Sequence, residues 1–222
     1  MKEEHFATLR RHMVEVIGIY VDLAGDELGK SVLDDRVLGA MGRVPRHAFV
    51  PPPLAPHAYQ NIPLPIGFGK TISQPFIVAV MTDLLQPRPD DVVLEIGTGL
   101  GYQAAILGQL VRRVWTVEII EELAAGAEER LGRLGYDNIG IRIGDGSLGW
   151  AEHAPYDKII VTAGAELVPQ PLIQQLKPGG RMVLPTGLTE EQKLTVVEKD
   201  AAGRIHLRER VSVRFGLLET VR

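Results

Sequence analysis

The run Val92-Val93-Leu94-Glu95-Ile96-Gly97-Thr98-Gly99-Leu100-Gly101-Tyr102 leaves few folds open to this chain. A short, nearly unbroken apolar stretch makes a strand buried on both faces, the mark of a parallel sheet. Three glycines at alternate positions then end the strand, and a helical pattern begins near Tyr102. Glycine adopts backbone angles closed to other residues, so such a turn lets a ligand approach the main chain where a Cβ would collide. Strand, glycine turn and helix in that order open a nucleotide-type βα unit, with its ligand beyond the carboxyl end of the strand.

The rest of the chain agrees with that start. Short apolar runs alternate with longer helical ones, which predicts strands at Val92–Ile96, Val114–Glu118, Ile139–Ile143, Lys158–Thr162 and Arg181–Leu184 with crossover helices between them. One helix, Glu121–Leu134, turns Leu123, Ala127, Leu131 and Leu134 inward and Glu121, Glu128, Glu129 and Arg133 to solvent. Leu194–Glu198 and Ile205–Phe215 flank Asp200-Ala201-Ala202-Gly203 as a terminal antiparallel hairpin. Upstream, Phe6, Leu9, Met13, Val16 and Tyr20 recur at helical spacing, and Asp34 caps a second helix carrying Val37, Leu38 and Met41. Between lie prolines 45, 51, 52, 53, 56, 63 and 65, too many for a helix interior or a central strand. The aromatics Phe49 and Tyr59 within that stiff segment predict that it lies against the body of the protein. The expected fold is α/β: a Rossmann-like mixed sheet, mostly parallel, with a C-terminal antiparallel hairpin and an N-terminal helical lobe. Residues 1–75 would form the helices and Pro-rich segment packed on a core of residues 76–222, in one compact unit.

Composition narrows function. A chain of 222 residues that is 45% hydrophobic and 23% charged supports one substantial core, and a net charge of −4 gives no general attraction to nucleic acid or anionic membrane. Met1-Lys2-Glu3-Glu4-His5 carries acids where a signal peptide carries positive charge, and no apolar run approaches the ~18 residues of a membrane span. A cytoplasmic protein, with no nucleic-acid or membrane partner, is expected. The absence of cysteine removes disulfides, thiolate metal sites and sulfur nucleophiles. The six histidines are dispersed without the paired spacing of a zinc helix, so no metal is expected.

The ligand can be read from the acids around the glycine turn. Glu118 closes the next strand roughly 20 residues on, where a carboxylate can accept both hydroxyls of a ribose. A dinucleotide fingerprint would place its third glycine one residue later, under a pyrophosphate. Here Glu95 also stands two residues before Gly97, and a carboxylate suits a cationic ligand better. S-adenosyl-L-methionine is such a ligand, with a sulfonium, an ammonium and no phosphate. Asp145, between Gly144 and Gly146 after the third strand, reads either as a turn residue or as the acceptor of an adenine amino group. These features describe a class I S-adenosylmethionine methyltransferase. Methylation of pyrimidine ring carbons through a cysteine adduct is excluded, and Thr162-Ala163-Gly164-Ala165 lacks the polar-Pro-Pro-aromatic motif used on exocyclic adenine amines.

Upstream, Leu64-Pro65-Ile66-Gly67-Phe68-Gly69-Lys70-Thr71-Ile72-Ser73-Gln74-Pro75 precedes an apolar helix, Phe76–Leu85. This segment resembles the signature of protein-L-isoaspartate O-methyltransferases. The similarity extends through Val44-Pro45-Arg46, Ala58-Tyr59, Val93–Tyr102, Gly144-Asp145-Gly146, Tyr156–Ala163 and Leu176–Pro185, roughly two thirds of the chain. The resemblance implies methyl transfer to the α-carboxylate of L-isoaspartyl residues in damaged proteins and peptides, a repair reaction that yields S-adenosyl-L-homocysteine. It nominates Ser73 as the catalytic residue, which from its position also reads as a cap of the helix begun at Pro75. Around the cofactor it places Thr71, Ile72, Gln74, Glu95, Gly97, Thr98, Gly99, Gly101, Glu118, Ile119, Asp145, Gly146 and Thr162. Against the substrate peptide it places Ile66, Phe68, Phe215, Gly216 and Leu217. A monomer is expected.

Two segments depart from the family pattern. Arg214-Phe215-Gly216-Leu217-Leu218 stands where Arg-Phe-Val-Pro-Leu is usual, and the loss of the stiffening proline raises the ordering cost of a peptide-holding segment. A weaker peptide KM than that of a Val-Pro variant is expected. Gly164 replaces the more usual alanine. A carboxyl methyltransferase acting on a dedicated peptide, a methylase of small molecules or nucleic acid, and a non-catalytic cofactor-binding module remain as alternatives.

Overall fold

The computed structural model describes residues 2–221. Three helices, α1 (Glu3–Leu23), α2 (Gly25–Leu28) and α3 (Asp35–Arg43), lead to a short hairpin, β1 (Leu64–Gly67) and β2 (Lys70–Ile72), and to helix α4 (Pro75–Leu85). The βα succession follows as β3 (Val92–Ile96), α5 (Tyr102–Gly108), β4 (Arg113–Glu118), α6 (Glu121–Arg133), β5 (Ile139–Ile143), β6 (Tyr156–Val161), α7 (Gln170–Gln175) and β7 (Leu176–Thr186). Strands β8 (Gln192–Lys199) and β9 (Ile205–Val213) form the final hairpin. The large sheet runs β5-β4-β3-β6-β7-β8-β9, parallel through β7 and antiparallel at β8 and β9. The expected Rossmann-like mixed sheet and terminal hairpin are therefore present.

Alternation sorts the core onto two faces. Val93 points to the face covered by α1, α3, α4 and α5, while Leu94 and Ile96 point to the opposite layer with Trp150, Tyr156 and Leu172. Helix α4 is buried from Phe76 to Leu85 except for half-buried Ile77, since it is pressed between the sheet and α1 and α3. Asp34 caps α3 as expected, its side chain accepting from Arg36 N at 2.8 Å. Asp83 on α4 accepts from Lys30 Nζ and Asp34 N, both at 2.7 Å, which pins the N-terminal helices to the core.

Three expectations need correcting. The buried face of α1 is Phe6, Met13, Ile17 and Val21; Val16 lies at its flank and Tyr20 is 45% exposed. Helical spacing alone admits both stripes, and the packing against α3 and α4 selects the second. The segment after Pro45 contains two 3-10 turns, Arg46–Ala48 and Pro52–His57, whose i to i+3 bonds tolerate proline better than a long α-helix does. Phe49 and Tyr59 within it are buried, as the sequence predicts. The β1–β2 hairpin was not foreseen. Its tip at Phe68 and Gly69 has positive φ at both residues, a conformation that Gly69 adopts at little cost.

Among the described residues, no helix is long and apolar enough to cross a membrane.

Candidate active site

Because β4 and β6 flank β3 on opposite sides, their crossovers diverge and leave a crevice beyond the carboxyl end of β3. A cavity of about 620 Å³ opens there, bounded by the β3 and β4 termini, the β1–β2 hairpin and the C-terminal segment. That volume lies within the usual range for a small-molecule site, roughly 300–1,000 Å³.

The glycine turn is tied to both neighbouring strands. Gly97 N donates to Val117 O at 2.9 Å, and Thr162 Oγ1 donates to Gly97 O at 2.8 Å. Gly97 has φ of 92°, and a Cβ there would stand 2.5 Å from Thr162 Oγ1, so only glycine fits. Glu118 ends β4 with its carboxylate fixed by two main-chain donors, Gly99 N at 2.8 Å on one oxygen and Ile120 N at 3.0 Å on the other. Each oxygen keeps a lone pair for a ligand, and Glu118 lines the cavity.

Ser73 lines the same cavity, just before α4. Its cap reading is not what the structure has: Gln74 holds the N-cap position without a side-chain bond, and Asn61 Oδ1 accepts from Phe76 N at 2.9 Å. The Ser73 hydroxyl is thus not spent on the helix. Its carbonyl accepts from Arg46 Nη2 at 2.7 Å, and Arg46 Nε donates to Ala58 O at 2.8 Å. Arg46 has no exposed surface, lies 4.8 Å from the Tyr102 ring centroid, and burial lowers its pKa. It braces the Ser73 segment from beneath. In the sequence Arg46 stands only within the matched Val44-Pro45-Arg46 run, with no sign of its burial.

Of the remaining candidates, Thr71, Gln74, Gly97, Gly99, Ile119, Gly146 and Thr162 line the cavity, as do Ile66, Phe215, Gly216 and Leu217. Ile72 and Thr98 face a small adjoining recess. Four residues stand apart. Gly101 starts α5 and packs against α6, where a Cβ would meet Leu131. Phe68 sits at the hairpin tip, 57% exposed. Asp145 uses one oxygen for Ser147 N and Oγ and the other for Val221 N, at 2.6–3.0 Å. Burial raises its pKa, but these bonds outweigh it and hold the carboxyl below its usual value. Glu95 is fully buried, and burial pushes its pKa up to about 8; the neighbouring Thr116 hydroxyl offsets part of that rise and the charge of Glu118 adds to it.

Gly164 also finds an explanation. A Cβ there would collide with the Gln192 side chain, which clamps Phe215 through N to Oε1 at 2.7 Å and Nε2 to O at 3.2 Å. Gly164 itself pairs with Gly216 O and Leu218 N at 2.8 Å. The C-terminal segment is therefore held along the cavity by Gly164 and Gln192, and nothing lies within 4 Å of a Cβ at Gly216.

Residues 26–220 match the family model for protein-L-isoaspartate(D-aspartate) O-methyltransferase. Protein-L-isoaspartate O-methyltransferase 1 of a Polaromonas species is 57% identical over 219 residues, covering 99% of this chain and 93% of that protein. The Cupriavidus necator protein of the same name is 54% identical over 216 residues, covering 96% and 83%. A solved protein-L-isoaspartate O-methyltransferase is 28% identical with a TM-score of 0.80; the match covers 94% of this chain and 65% of that one.

Proposed function

This chain belongs to the protein-L-isoaspartate(D-aspartate) O-methyltransferase family, and from that premise we infer that it methylates the α-carboxylate of L-isoaspartyl residues in damaged proteins and peptides. The observation that carries the reading is the convergence on one cavity of the Thr71–Gln74 segment, the glycine turn, Glu118 and the strapped Phe215–Leu217 segment.

The residues present fit the cofactor. Glu118, with both oxygens oriented by main-chain amides, accepts the two ribose hydroxyls, and the glycine turn at Gly97 and Gly99 lines the cavity for an amino-acid moiety to lie against. When bound, S-adenosyl-L-methionine supplies an electrophilic methyl group on a sulfonium and becomes S-adenosyl-L-homocysteine. Gly146 lines the cavity beside the Asp145 carboxylate, whose Oδ2 accepts, among the described residues, only from Val221 N and so keeps a lone pair for an adenine amine.

The chain itself has little proton chemistry to perform. A carboxylate of ordinary pKa near 4 is ionised at neutral pH and needs no general base. The work is placement: Ser73 Oγ donates to the isoaspartyl carboxylate, the main chain at Phe215–Leu217 holds the peptide, and Ile66 and Ile77 wall out water. Orientation of this kind is worth as much as ~7–11 kcal/mol in well-aligned systems. Ser73→Ala removes one hydrogen bond to a charged group, roughly 1.5–3 kcal/mol. The expected result is a drop in kcat/KM for an isoaspartyl peptide of about 10- to 100-fold, with S-adenosylhomocysteine affinity retained. Unchanged kcat/KM in folded protein would remove Ser73 from the reaction.

Within residues 1–75, the 3-10 turn at Arg46–Ala48 and the chain after β2 bring Arg46 and Ser73 to this site, which supports reading the segment as a lobe of the same unit. A cytoplasmic monomer without nucleic-acid partners remains part of the proposal.

A further inference from the structure

A polypeptide substrate must leave the cavity on both sides of its reacting residue, so the surface adjoining the cavity is met by flanking residues. One such surface is a groove of about 1150 Å³ on the face of β8 and β9 that short helix α7 does not reach across. The groove is continuous with the site: Ser212 and Val213 line both. The Arg214–Glu190 ion pair, at 2.8 Å, straddles the boundary, with Arg214 on the cavity side and Glu190 on the groove side.

The groove has its own chemistry. Four acids line it, Glu166, Glu190, Glu191 and Glu209, against the single cation Lys193, which itself lies 3.5 Å from Glu209. Its apolar surface is open to a partner: Leu207 is 58% exposed and Leu167 82%, beside half-buried Ile205 and Ile173. Strand β9 is the sheet edge, so no further strand extends the sheet beyond the groove. An extended peptide advances about 3.3 Å per residue, so a side chain two to four residues from the reacting one is carried ~7–13 Å, past the shared wall.

We propose that this groove receives the stretch of substrate polypeptide on one side of the isoaspartyl residue and selects lysine, arginine and aliphatic side chains there. The proposal rests on the isoaspartyl reading of the site. Cationic Arg214 at the cavity mouth faces the anionic reacting residue, and the acidic groove beyond it faces a basic flank. Glutamate in the flank is rejected by the same acids, so the groove sorts damaged sites by their neighbourhood.

The test uses isoaspartyl peptides that differ only in carrying Lys, Ala or Glu two to four residues away, in an N-terminal and a C-terminal series. Methyl transfer gives kcat/KM, and fluorescence anisotropy of labelled peptides gives binding without turnover. Both are measured on wild type and on a Glu166→Gln/Glu191→Gln/Glu209→Gln variant; Glu190 is left because it holds Arg214. In one series the wild type should favour Lys over Glu about three- to tenfold at low salt, mostly in KM, and the ratio should fall toward one in the variant and in high salt. An equal ratio in wild type and variant, or no discrimination in either series, overturns the groove. Anisotropy that discriminates while no peptide is methylated keeps the groove and overturns the methylation reading. Methylation without discrimination does the reverse.

Discussion

Glu118→Ala is expected to raise the dissociation constant for S-adenosyl-L-homocysteine about a hundredfold, read by calorimetry on folded protein. The side chain is 6% exposed and held by Gly99 N and Ile120 N. Its remaining lone pairs would be satisfied by two ribose hydroxyls, in charge-assisted bonds of roughly 1.5 kcal/mol each. Losing both gives ~3 kcal/mol, or about two orders of magnitude. The substitution also frees Gly99 N and so loosens the turn. Glu118→Gln does not rescue, since an amide presents one acceptor to two backbone donors. A change under threefold would place the ribose elsewhere.

The second large effect concerns stability. Glu95 lies wholly inside the protein, and burial, only partly offset by the Thr116 hydroxyl, pushes its pKa from 4.5 up to about 8. Its folded pKa exceeds its unfolded one, so its stability contribution is fully present below about pH 4.5 and is lost progressively until about pH 8. The loss approaches ~1.4 kcal/mol per pH unit, because the unfolded chain sheds the proton that the folded chain keeps. Glu95→Gln fixes the side chain in a neutral, isosteric form and removes that slope. At pH 8 the variant should melt about 9–18 °C above wild type, with the two converging as the pH falls toward 4.5. Parallel melting curves across this range would show that Glu95 is not held protonated.

Glu95 also shows why the sequence was only partly legible. Its place two residues before Gly97 was plain, and from it came the expectation of a carboxylate beside a cationic ligand. Strand alternation turns its side chain to the same face as Val93, toward the helices, and away from the cavity. Parity along β3 was available, but which face holds the ligand is a property of the assembled sheet. Glu118, by contrast, was legible because a strand's last residue meets the crevice in any parallel sheet of this type.

The central strands could be read because burial on both faces demands short unbroken apolar runs, and the final hairpin because its turn demands particular residues. The β1–β2 hairpin escaped since its signal, Gly67-Phe68-Gly69, sits among prolines that point to irregular chain. Asp145 reads as a turn residue or an adenine contact, and the bond its Oδ2 accepts from Val221 N depends on a tail 76 residues downstream. Gln192 as the clamp on Phe215, and Gly164 as the space for it, join three distant segments. Such long-range pairs leave no local pattern in one sequence.

Every role assigned to the cavity presupposes that an isoaspartyl carboxylate is the methyl acceptor. The direct measurement offers labelled S-adenosyl-L-methionine to the purified chain with two peptides identical except for L-isoaspartate or L-aspartate at one position. A base-labile methyl ester should form on the isoaspartyl peptide and not on its aspartyl twin. Equal labelling of both, or of neither, would contradict the account.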